Sequence, residues 1–292
     1  MKKLIFLLFI PLYTFSQEKI IDSVKVVKWQ KSGKSSFLIN QTAFSNWISG
    51  GENSVAGTFS VDYNIHYYKN EWSWDTKIIG SFGVNKNSDS KFLKKIDDRI
   101  EINSVIGKEF IEEFSFSSFL NFKTQFAKGF KYSTNDEGDE IRNEKTRIFS
   151  PAYTQLGVGI YWKKSNNLWV NFSPIAGRLI VVNKKFTNGL DDDDEYFGIP
   201  RGQNSRFELG VSVSAFYKFE LIKNISMEQS INLYSDYFHE ADNVDLDYIL
   251  TFYMKINDFL TTTLIVEALY DNNAIKRLQL REVFGLALII DI

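Results

Sequence analysis

Residues 54–68 read SVAGTFSVDYNIHYY, and the string alternates with a period of two. Val55, Phe59, Val61, Tyr63, Ile65 and Tyr67 fall on one face; Thr58, Ser60, Asp62, Asn64 and His66 fall on the other. Successive side chains of a strand point to opposite faces, so the string predicts one long β-strand with an apolar side and a polar side.

The same pattern recurs outward from it. In 72–85, Trp72, Trp74, Ile78, Phe82 and Val84 oppose Ser73, Asp75, Lys77, Ser81 and Asn85. In 114–126, Phe114, Phe116, Leu120, Phe122 and Phe126 oppose Ser115, Ser117, Asn121, Lys123 and Gln125. Twelve such segments are read near 35–44, 54–68, 72–86, 96–108, 114–128, 150–163, 168–182, 204–221, 225–238, 244–256, 259–270 and 278–292. Most exceed the roughly 9–11 residues that a tilted strand needs to cross a bilayer, whereas strands of a soluble sandwich average about five or six. The least regular is 168–182, where Arg178 falls on the apolar face unless Pro174 or Gly177 marks a bulge that shifts the phase.

Connections alternate between short, as at 69–71, 109–113, 164–167 and 222–224, and longer, as at 45–53, 87–95, 129–149 and 183–203. Short inner turns, long outer loops and aromatic girdles describe an outer-membrane barrel. The expectation is an all-β, transmembrane, antiparallel up-and-down β-barrel of about 12 strands over 35–292, with both chain ends in the periplasm.

Residues 1–16 (MKKLIFLLFIPLYTFS) have a basic start, an apolar centre interrupted by Pro11, and small Ser16 before Gln17, the pattern of a cleaved signal peptide. Residues 17–34, with weak alternation and five Lys, read as a periplasmic N-terminal segment. The expected location is therefore the outer membrane, with its lipid as the contacting phase and other envelope proteins as the candidate partners. A formal charge of −2, falling to −4 without Lys2 and Lys3, offers no basic surface for nucleic acid. Cysteine is absent, which excludes disulfides, thiolate metal sites and a cysteine nucleophile.

Twelve strands at about 4.8 Å spacing and about 40° tilt enclose a backbone radius of about 12 Å. The polar faces turn inward, so the candidate lumen residues are Asp62, Asp75, Lys77, Arg99, Glu101, Lys123, Arg206, Glu208, Lys218, Glu228, Asp236, Lys255, Glu267 and Arg281. Mixed charges of this kind either line a hydrated channel or pair across the lumen and plug it. Strand register, which decides between the two, is not readable from one chain.

The most distinctive local string is 44–54, FSNWISGGENS. Gly50 and Gly51 permit a tight turn, and Asn46, Trp47, Glu52 and Asn53 form either a small binding cluster or a structural loop. Its W-x-x-G-G-x-N-S element, carried by Trp47, Gly50, Gly51, Asn53 and Ser54, resembles an uncharacterised family of Bacteroidota outer-membrane proteins known only as a domain of unknown function. The resemblance implies the location and the barrel, and it supplies no substrate or catalytic residue.

No cofactor, metal site or phosphate loop is expected. The acidic run 191–195 lacks regular ligand spacing, and 135–140 reads likewise as a solvated loop. His66 and His239 are the two histidines. His66 lies on the polar face, and His239 shares the parity of the apolar face with Ser235, about 13 Å away along an extended strand. The expected function is a small-solute channel or binding barrel. The alternatives are a plugged interaction barrel in an envelope assembly and, last, a hydrolase using His239.

Overall fold

The computed structural model describes residues 28–292 except 47, 49, 50, 193 and 240. The expected signal peptide (1–16), residues 17–27 of the expected N-terminal segment, Trp47 and Gly50 therefore lie outside the described residues.

Sixteen strands follow one another: β1 (Lys28–Thr42), β2 (Ser54–Lys69), β3 (Trp72–Asn87), β4 (Lys94–Ile111), β5 (Phe114–Thr124), β6 (Gly129–Thr134), β7 (Glu140–Thr146), β8 (Ala152–Ser165), β9 (Leu168–Val181), β10 (Glu195–Tyr196), β11 (Ile199–Pro200), β12 (Ser205–Ile222), β13 (Ile225–Asp236), β14 (Asp245–Lys255), β15 (Leu260–Asp271) and β16 (Ile275–Asp291). Twelve close a barrel in the order β1-β16-β15-β14-β13-β12-β9-β8-β5-β4-β3-β2, every neighbour antiparallel. This is the expected up-and-down barrel of twelve strands. The remaining four form two small hairpins, β6–β7 and β10–β11, within the two longest loops.

The strings read from sequence set the register. β2 and β3 pair without a shift from Ser54↔Asn87 to Lys69↔Trp72, which sets Ser60 opposite Ser81, Asn64 opposite Lys77 and His66 opposite Asp75 on the polar face. At the terminus end the turns are tight, and Asn70, Glu113 and Asn224 supply left-handed φ values of 52°, 66° and 67°.

The outward face is apolar and exposed: Phe59, Phe116, Leu156, Phe172, Phe284 and Leu286 are all at least 46% accessible. A soluble protein does not leave a continuous apolar belt of this kind uncovered. At the terminus end the belt finishes in aromatics, with Trp29 against Tyr67 at 4.6 Å and Trp74 at 6.5 Å, and Phe110 stacked on Phe116 at 4.4 Å. Among the described residues no helix is long and apolar enough to cross a membrane; crossing is the work of the strands.

Two boundaries differ from the sequence reading. The first strand begins at Lys28, so residues 28–34 belong to the barrel wall and pair with Tyr68 through Asp62. Alternation hid them because Lys31, Gly33 and Ser35 occupy the outward face. Gly33 is required there, since a Cβ would lie 2.6 Å from the Tyr63 ring that covers it. The 129–149 segment, expected as a solvated loop, contains the β6–β7 hairpin.

The irregularity at 168–182 is a bulge at Pro174. Val158↔Ile175 and Ile160↔Phe172 bracket one residue on β8 and two on β9, and β12 shows the matching shift. Proline has no N–H to lose from the ladder. The extra residue turns Arg178 from the lipid face into the lumen, where it is 8% exposed.

The closing seam is the shortest ladder, with β1 and β16 in register from Lys34↔Asp291 to Ile39↔Leu286. Beyond it, residues 275–280 of β16 are exposed.

Candidate functional site

The strands bring the lumen charges into pairs that span the barrel. Lys77 of β3 meets Asp62 of β2 at 2.8 Å and Glu228 of β13 at 3.3 Å. β3 and β13 stand on opposite walls of the ring. Lys218 joins Glu228 at 3.5 Å. Lys123 of β5 reaches Asp247 of β14 at 2.6 Å. Arg99 of β4 lies 3.8 Å from Glu101 and 3.7 Å from Glu267 of β15, and Arg281 holds Glu267 at 2.7 Å and Asp97 at 3.6 Å.

Phe119, Ala176 and Tyr234, from β5, β9 and β13, form one buried cluster, with Val105 packed against it. Two chambers within the barrel share no lining residue; Tyr234 of the cluster lines one and Val105 the other.

The larger chamber, about 770 Å³, is lined by β1–β4 and β14–β16 and, toward the terminus end, by residues of β8, β9, β12 and β13. There Asp75 accepts from His66 Nδ1 at 2.7 Å, Lys163 Nζ at 2.6 Å and Tyr161 OH at 3.2 Å. Lys163 Nζ also donates to Tyr68 OH.

The smaller chamber is a vestibule of about 390 Å³ at the loop end. Arg178 forms its floor: Nε donates to Glu208 at 2.6 Å, a terminal nitrogen meets Asp245 at 2.7 Å, and the guanidinium lies 4.1 Å above the Tyr234 ring. Arg206 holds the other Glu208 oxygen at 2.9 Å, and Asn273 donates to it at 3.0 Å. In the loop after β9, Ile199 is fully buried in a cluster with Ile180 and Val182.

Most of the expected lumen charges are thus brought together, with Lys255 the exception. Lys255 keeps the polar parity but sits on the terminus rim, 2.7 Å from Asp258. Asp236 binds His239 Nδ1 at 2.9 Å, and His239 lines the vestibule because β13 ends at Asp236 and the chain turns before it. Ser235 Oγ donates to the Ala241 carbonyl at 2.8 Å. Phe119, Lys163, Arg178, Asp271 and Tyr234 were absent from the expected set. Parity alone places Lys163 and Asp271 inward, and the Pro174 bulge places Arg178.

In the 43–53 loop, Asn53 Oδ1 accepts the Phe44 N–H at 2.5 Å, Asn87 donates to Glu52 at 3.2 Å, and Phe44 packs over Gly51, whose φ is 137°. Asn46 takes a left-handed φ of 53°. These contacts tie Phe44 to Gly51 and Asn53, and Glu52 to Asn87 of β3.

Outside the barrel wall, two carboxylates fasten the β6–β7 hairpin. Glu140 binds Lys94 at 2.7 Å, Ser90 Oγ at 2.9 Å and the Lys91 N–H at 2.7 Å, and its pKa falls to about 2, chiefly through the Lys94 hydrogen bond. Glu144, held by Arg147 at 2.6 Å and Lys185 at 2.7 Å, also falls to about 2. A carboxyl depressed below its ordinary value of about 4.3 stabilises the fold above that value and loses the effect as pH falls through the folded one. Hydrogen-exchange protection of the Lys91 amide is therefore expected to stay flat from neutral pH down to about 4.3, then decline toward about 2.

The chain matches known proteins in two ways. Residues 39–130 match a family described as protein of unknown function (DUF3078), a span that contains the Trp47–Ser54 element. No curated protein matches. Among solved structures, the translocator domain of autotransporter NalP from Neisseria meningitidis is similar with a TM-score of 0.39 and 8% identity, covering 92% of this chain and 88% of that one. An outer membrane channel from Pseudomonas putida F1 gives 0.37 and 9%, covering 94% and 99%. The beta domain of a Bordetella autotransporter gives 0.32 and 6%, covering 89% and 97%.

Proposed function

We propose that this chain is a closed outer-membrane barrel that binds at its loop end and does not conduct. The observation that carries it is a septum of side chains: Lys77 meets Glu228 at 3.3 Å and Lys123 meets Asp247 at 2.6 Å across the lumen, while Phe119, Ala176 and Tyr234 form a buried cluster on the β5–β13 side. An open pore of this radius needs hydrated, separated walls; here the walls touch. The apolar belt supports a membrane seat, and the tight turns at the terminus end support a periplasmic position for both ends. Export through cleavage after Ser16 completes this reading, which assigns no catalytic residue.

Planar-bilayer recordings of the folded full chain test it. Wild type is expected to give no stepwise current, and Phe119→Ala combined with Lys123→Ala is expected to give steps. Steady single-channel conductance from wild type would sink the proposal. The runner-up, an interaction barrel in an envelope assembly, rests on the exposed 275–280 edge of β16 beyond the short seam, since unpaired edges accept further strands. Mild-detergent purification of the same sample tests that reading by whether other chains accompany the barrel.

A further inference from the structure

We infer that the loop-end vestibule is a binding site for a small neutral polyhydroxylated molecule, one or two sugar units in size. The inference rests on the proposed function in taking the loop end as the open, binding face.

Size sets the first limit. A space of about 390 Å³ lies at the lower end of small-molecule sites. Charge sets the second. Arg178, Arg206 and Lys276 line it against Glu208, Asp236 and Asp245, a balanced set when His239 is neutral. The strongest charges are already consumed. Arg178 is shared between Glu208 and Asp245, and both Glu208 oxygens are occupied by Arg178, Arg206 and Asn273. Arg178, Glu208 and Asp245 therefore offer an ion no unsatisfied counter-charge, and Lys276 is the one lining cation without an ion pair among the described residues.

What remains is neutral hydrogen-bonding capacity. Tyr234 lines the vestibule and is 5% exposed, yet its buried hydroxyl meets no hydrogen-bond partner. A buried hydroxyl without a partner is costly. The side-chain amides of Asn243 and Asn273 line the same space; each donates one N–H to a carboxylate, Asp245 at 3.3 Å and Glu208 at 3.0 Å, and keeps a second N–H and a carbonyl oxygen. Alternating donors and acceptors on a neutral, compact ligand match that array, and sugar hydroxyls present them.

Calorimetric titration of the folded full chain, in a detergent without a sugar headgroup, decides the matter. The probes are glucose, N-acetylglucosamine and maltose, with glycine and inorganic phosphate as charged comparators. At least one sugar is expected to bind, and Tyr234→Phe is expected to weaken it about tenfold, the size of one hydrogen bond, while keeping the ring under Arg178. If Tyr234→Phe does not fold, Asn243→Ala reads the same loss. No binding by any of the three sugars, sugar binding unchanged in the variant, or tighter binding of glycine or phosphate would each overturn the assignment. Bilayer recordings read closure separately, so failure here leaves the septum untouched.

Discussion

Arg178→Ala is expected to lower the unfolding free energy of the barrel by about 3–5 kcal/mol, the range seen when one member of a buried charge cluster is removed. Arg178 is 8% exposed, Glu208 2% and Asp245 9%, and the single guanidinium neutralises both carboxylates at 2.6 and 2.7 Å. Alanine leaves two buried anions facing each other with only Arg206 near one of them, and it also removes the cation above the Tyr234 ring. The comparison is Arg201→Ala. Arg201 meets Asp192 at the same 2.6 Å, but the side chains are 52% and 89% exposed, so its loss is expected to cost about 0–1 kcal/mol. Urea unfolding in lipid vesicles, followed by tryptophan fluorescence, gives both numbers. A loss below about 1 kcal/mol at Arg178 would mean that water fills the vestibule floor and compensates the carboxylates.

The same residue shows how far the sequence could be read. In β2 and β3 the alternation is unbroken, so the faces and the pairing partner follow from local pattern alone. In β9 one added residue at Pro174 inverts the pattern, and the string itself offered Pro174 and Gly177 as the two places for it. Proline's missing N–H explains why the bulge sits where it does. Phe119 was out of reach for a different reason. It occupies the polar parity of β5, and an aromatic there has meaning only once Ala176 and Tyr234 are known to stand opposite it. Cross-lumen pairs such as Lys77–Glu228 depend on the summed register around the whole ring. Faces are a local property and were legible; partners across a barrel are a global one and were not. His239 failed at a boundary, because parity stops carrying information where the strand stops, at Asp236.

The outward belt yields the second large effect. Leu156 of β8 is 56% exposed on the lipid side, six residues from Trp162, whose indole Nε1 donates to Glu113 at 2.9 Å in the terminus-end turn. At about 3.3 Å per residue and about 40° tilt, that separation is about 15 Å along the barrel axis, close to the midplane of an apolar band about 25 Å tall. Leu156→Arg is therefore expected to cost about 2–4 kcal/mol, because the guanidinium must be drawn into hydrocarbon or drag water in with it. Ile222 is more exposed, at 61%, but lies at the β12–β13 turn where the chain meets the interface. Ile222→Arg is expected to cost about 0–1 kcal/mol, since the charge reaches water directly. Exposure to water, similar at the two sites, would make the costs equal and small, so the pair separates a barrel seated in lipid from one surrounded by water. Equal losses at the two positions would remove the membrane seat from the account. The expected gap, read from folding equilibria in vesicles, would locate the terminus-end interface at the level of Trp29, Trp74 and Trp162.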